Sequence, residues 1–154
     1  MPGIRLGWLV APAAFRRPLD AVRHIRATTS SLEQLAFADL IERGEFERHL
    51  RKVRATYRQR RQSLADALRP IAGIRVPSEQ AGLHLTCALP DSIDEAALIE
   101  AAAERGVGLV GLNPHWADPI RPTSSGLVLG FTRPPVHRFD HDLSLLVKTL
   151  RDLV

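Results

Sequence analysis

The sequence holds one cysteine, Cys87, and only two lysines, Lys52 and Lys148, among 21 basic residues. A single cysteine excludes an internal disulfide and a cysteine-rich metal site. No apolar run approaches the ~20 residues that a membrane span needs. There is no Gly-rich phosphate loop, no Ser-His-Asp pattern, no repeat and no Gly/Ser linker. Aromatic residues make up 5%, and no helix-turn-helix, RRM or zinc signature is present, which argues against a self-contained nucleic-acid binder. Read from Met1, the first residues lack the charged start, apolar stretch and small-residue cleavage site of a secretory signal. These absences together lead us to expect a reducing, cytoplasmic location and no membrane partner.

What is present fits one domain with a real core. The chain has 154 residues, 45% hydrophobic and 25% charged, both ordinary for a globular protein. The net charge is +4 and the isoelectric point about 10.2. Such a balance can serve an acidic partner. Arginine in great excess over lysine, beside much alanine, is read more simply as the mark of a GC-rich coding sequence.

Ile4-Arg5-Leu6-Gly7-Trp8-Leu9-Val10 is nearly continuous apolar and ends at Ala11-Pro12. That pattern predicts a strand buried on both faces, part of a larger sheet. Pro18 suits the first turn of a short helix running to about Ala27. Ser30-Ser31-Leu32-Glu33 has the spacing of a capping box. The helix it opens carries Leu35, Leu40 and Ile41 on one face and ends at Gly44. From Glu45 to Leu68, Phe46, Leu50, Val53, Tyr57, Leu64 and Leu68 recur at helical spacings, so a long amphipathic helix is expected, stopped by Pro70. Arg48, Arg51, Arg54, Arg58, Arg60 and Arg61 are expected mostly off that stripe.

The second half alternates. Strands are predicted at 74–76, 83–89, 107–112 and 127–131. Ser92-Ile93-Asp94-Glu95 reads as a second capping box before an alanine-rich helix ending near Gly106, and 136–154 as an amphipathic helix. Mixed strands and helices argue an α/β or α+β domain with a small, largely antiparallel sheet.

Pro2-Gly3-Ile4-Arg5-Leu6-Gly7-Trp8 resembles the Pro-Gly-x-Arg-x-Gly-Trp run that follows the Schiff-base lysine in fold-type-I aminotransferases. Further pieces agree in order and spacing: Gly44-Glu45-Phe46-Glu47-Arg48-His49-Leu50-Arg51, Tyr57-Arg58-Gln59-Arg60-Arg61, Ala81-Gly82-Leu83-His84, Arg105-Gly106-Val107 and Leu129-Gly130-Phe131. The chain is most similar to the aminotransferase-like domain of MocR-type regulators, which fuse it to a GntR-type winged-helix DNA-binding domain. The resemblance implies the C-terminal small domain of such a protein. Residues 1–30 would be a remnant of the large cofactor-binding domain, and 31–154 the linking helices and small α/β domain.

The same resemblance implies pyridoxal 5'-phosphate as the family's cofactor and gives Arg5 its phosphate, since a guanidinium fork matches phosphate oxygens. The catalytic lysine would lie upstream of Met1. Lys52 and Lys148 read as solvated face positions. The chain alone is therefore expected to be catalytically incompetent and to bind no cofactor. Many relatives carry a substrate-carboxylate arginine where this chain has Val128. Ala81, Gly82, Arg121 and Arg133 remain as substrate-binding candidates. A dimer, or a swap of strand or helices, is expected, with DNA reached only through an N-terminal domain outside these residues. Alternative readings are a basic nucleic-acid or protein-binding module, and an aminotransferase completed by a partner chain. His137 and His141, four apart, could pair on a metal but lack a third ligand. Cys87 reads as a core residue.

Overall fold

The computed structural model describes residues 6–7, 9–25, 30–77, 82–118 and 124–154. Compact packing divides the chain into two units, Met1–Lys52 and Val53–Val154.

The first unit is helical. A 3-10 turn at Ala13–Phe15 leads into α1 (Arg16–Ile25), with Pro18 in its first turn. The Ser30 hydroxyl caps α2 (Ser31–Glu42) by accepting the Glu33 N–H at 3.5 Å. Gly44, at φ 68°, makes the left-handed step that ends α2 and releases α3 (Glu45–Leu68). The Phe37 and Phe46 rings meet edge to face at 4.8 Å across that step. The apolar face of α2 stays largely open: Leu35 is 69% exposed.

Of the predicted Ile4–Val10 strand, Ile4, Arg5 and Trp8 lie outside the described residues. Leu6, Gly7, Leu9 and Val10, the residues of that run that are described, carry no strand, and Val10 is 91% exposed. A strand exists through its pairing partners, and among the described residues none runs beside this segment.

The second unit holds the core. β1 (His84–Ala88) and β2 (Gly126–Gly130) pair antiparallel, Leu85 opposite Leu129 and Cys87 opposite Leu127. Period-two alternation turns Leu85 and Cys87 inward and His84 outward. The inner face packs on Leu64 and Leu68 of α3, Leu98 of α4 (Glu95–Glu104) and Leu150 of α5 (Phe139–Leu153), around a fully buried Phe131.

Two further predicted strands shrink to single rungs. Residues 74–76 give one bridge, Arg75 with Ala88, hemmed between Gly73 and Pro77. Residues 107–112 give one bridge, Gly111 with Leu127, flanked by Val128 N–H to Val110 C=O at 2.8 Å and Leu112 N–H to Gly126 C=O at 2.9 Å. Gly108 and Gly111 weaken that strand and Pro114 stops it. The sheet thus has two full strands and two ragged borders.

The cap of α4 is also corrected. Asp94, not Ser92, is its N-cap, its carboxylate accepting from Ala96 and Ala97 N–H at 2.8 and 3.1 Å. An aspartate one residue before the helix reaches the amides of the second and third helical residues directly. At the other end, Gly106 at φ 77° gives a Schellman close, with Val107 N–H on Ala102 C=O and Gly106 N–H on Ala103 C=O.

Candidate functional site

Three constructions in the second unit bring polar groups together inside or beside the core. The first is on α3. Tyr57, Arg60 and Leu64 follow at spacings of three and four, so Arg60 lies on the apolar stripe rather than off it. Its guanidinium is buried, donates to Phe131 C=O and Thr132 C=O at 3.3 Å each, and stands 5.0 Å over the Phe139 ring. The expectation that this arginine faces solvent is overturned. Carbonyl dipoles and the ring face replace the water it has lost.

The second is Glu95. Expected to reach back in a capping box, it turns inward instead and is 5% exposed. Its carboxylate accepts Asn113 N–H at 3.0 Å and Gly126 N–H at 2.9 Å. One side chain of α4 therefore ties down both ends of the segment that leads into β2. Its signal in the sequence, an acid at the first turn of a helix, is shared with every ordinary cap.

The third is a cavity of about 230 Å³ bounded by Arg54, Arg58 and Arg61 of α3, by Gly82 before β1, and by Phe131. Tyr57 borders it and meets Phe131 edge on, centroids 6.3 Å apart. A larger cavity of about 440 Å³ lies along α5 and includes Val128, Leu129 and Leu146.

Of the residues singled out from sequence, Arg5, Ala81 and Arg121 lie outside the described residues. Gly82 stands at φ 83° on the rim of the 230 Å³ cavity. Arg133 is exposed in the turn after β2 and does not border that cavity. Val128 is half-buried in β2, opposite Thr86. His137 falls in a 3-10 turn and His141 in α5, so they do not share one continuous α-helical face. Among the described residues, no three His, Cys, Asp or Glu side chains group to hold a metal.

Cys87 is buried under the sheet, and burial pushes its thiol up to about 11, opposed by a hydrogen bond from the Leu127 backbone. A thiol titrating near 11 rather than 9.0 holds about a hundredfold less thiolate at neutral pH. Reaction with a disulfide reagent at pH 8 is expected to be at least ~100-fold slower in the native chain than in urea. Equal rates would show that Cys87 is accessible.

The family model for aminotransferase classes I and II matches residues 1–118. The chain belongs to that family. Among curated relatives, an uncharacterised HTH-type transcriptional regulator, YhdI of Bacillus subtilis, is 32% identical over 80% of this chain and 27% of its own length. The probable rhizopine catabolism regulatory protein MocR of Rhizobium meliloti is 29% identical over 84% of this chain and 27% of its own. In structure, the multiple substrate aminotransferase of Thermococcus profundus superposes with a TM-score of 0.82 at 24% identity, over 98% of this chain and 38% of that one. The fold is that of fold-type-I aminotransferases. The chain spans about a third or less of the curated relatives named here.

This aminotransferase family works with pyridoxal phosphate, which needs a lysine amine for its aldehyde. The described residues of this chain do not fit that group. Lys52 and Lys148 are both exposed and border neither the 230 Å³ nor the 440 Å³ cavity. Among the described residues, no helix is long and apolar enough to cross a membrane.

Proposed function

We propose that this aminotransferase-family chain supplies the small domain and linking helices of a MocR-type regulator, and does not by itself hold the cofactor through a lysine. The observation that carries the reading is the combination of the family match with two lysines that stand on open helix surfaces. The share of its relatives' length that it covers supports treating it as part of a larger working unit. In that unit, pyridoxal phosphate and an amino acid would be bound with Arg5 on the phosphate, and Gly82, Ala81, Arg121 and Arg133 near the substrate. DNA would be met by a winged-helix domain outside these residues, in the cytoplasm.

Self-association belongs to the same reading. Leu9, Val10, Leu32 and Leu35 of the first unit are 72%, 91%, 76% and 69% exposed, an apolar load that association would relieve. A dimer or a helix-swapped oligomer is the expected state.

Purified chain incubated with pyridoxal phosphate is expected to show no new visible absorption band. Borohydride reduction and mass spectrometry are expected to find no stoichiometric lysine adduct. A single adduct on Lys52 or Lys148 would make the chain an enzyme candidate and sink the reading. Light scattering on the same sample tests association, and a sharp monomer at high concentration would remove that part.

A further inference from the structure

We propose that the cavity between Arg54, Arg58 and Arg61 on α3 and Gly82 at the foot of β1 binds a small oxyanion, a phosphate or carboxylate group. The three arginines follow at spacings of four and three, which stacks their side chains on one helix face. With Gln62, Leu83, Tyr57 and Phe131 they border a cavity of about 230 Å³, and among the described residues no carboxylate lines it. Five other arginines of the described residues do sit on acids: Arg43 on Asp39, Arg48 on Glu45, Arg69 on Asp66, Arg105 on Asp152 and Arg138 on Asp142. Among the described residues, Arg54, Arg58 and Arg61 have no such partner. Gln62, the other polar neighbour, already donates to Asp66.

A second observation is independent of charge. The Arg61 Nε is buried and has no hydrogen-bond acceptor among the described residues. A buried donor without an acceptor is unfavourable unless a ligand supplies one. Three like charges on one helix face are unfavourable for the same helix. One oxyanion answers both, because guanidinium forks offer paired N–H donors to planar or tetrahedral oxygens. The cavity is too small for a duplex and large enough for a phosphate or a short dicarboxylate, and Phe131 and Tyr57 add an apolar wall.

The test is a calorimetric titration of the whole chain at low salt with inorganic phosphate and, separately, glutarate. One saturable site is expected with at least one of them, and which one binds separates a phosphoryl from a carboxylate ligand. Arg61→Gln and Arg58→Gln are each expected to weaken it about tenfold, the worth of one charge-assisted hydrogen bond. Arg61→Lys, which keeps the charge and loses Nε–H, is expected to weaken it as well, and stands in if the glutamine variant misfolds. Arg151→Gln, on the exposed side of α5, is expected to change nothing. No saturable binding, equal loss in Arg151→Gln, or binding of duplex DNA without either small anion would overturn the proposal.

Discussion

Glu95→Ala is expected to lower the unfolding free energy of the second unit by about 3 kcal/mol, because two amides that it accepts in the folded chain are left without an acceptor. The Gly126 amide is fully buried and the Asn113 amide partly so, so water cannot fully take over. Glu95→Gln keeps one carbonyl oxygen and is expected to lose about half as much. The neighbouring Gly111 sharpens the test. A Cβ there would fall on the Glu95 carboxylate, 2.7 Å from its Cδ. Gly111→Ala is therefore expected to be destabilising by about 2 kcal/mol in the native background and by under ~0.5 kcal/mol beside Glu95→Ala. A double-mutant cycle by urea unfolding measures this. Additive losses would mean that the carboxylate does not hold the position that the structure gives it.

Arg60 carries the second large effect. Arg60→Ala removes two hydrogen bonds to carbonyls, the contact with Phe139 and the packing of a long buried stem. The expected loss is about 3 kcal/mol. Arg60→Lys keeps the charge but cannot span both carbonyls and the ring, and is expected to lose about 1.5 kcal/mol. Arg60→Met is the decisive variant, since it fills the space without a charge. A buried charge can be a net liability; here three interactions offset its desolvation, so methionine is expected to be the less stable. A methionine variant at least as stable as the parent would reverse that conclusion.

The two residues explain why some of the molecule could be read from its sequence and some could not. The bounds of α3 were legible because Gly44 and Pro70 punctuate an apolar stripe that keeps one helical period over 24 residues. β1 and β2 were legible because alternation and apolar runs are local signals. The identity of the family was legible because short motifs keep their order along the whole chain. Arg60 was not legible as a core residue, since charge outweighs position in any reading of amphipathicity, although its place between Tyr57 and Leu64 put it on the stripe. Glu95 was misread because its role depends on amides at Asn113 and Gly126, which only the folded chain brings near. The outer rungs at Arg75 and Gly111 were overestimated because hydrophobic runs report burial, whereas ladder length depends on glycine and proline at their borders. The oxyanion cavity was invisible for the same reason as Glu95: Gly82 meets α3 only in three dimensions.

A chain with one cysteine cannot staple a loop with sulfur. Glu95 achieves a similar closure by holding Asn113 and Gly126 at once, so the residues between them form a ring whose ends are fixed to α4. Closure entropy grows only with the logarithm of ring length, about 0.6 kcal/mol per doubling. The connection between Asn113 and Gly126 can therefore change in length while its two ends keep their hold on Glu95. It is the place in this domain where new contacts can be tried at little risk to the fold.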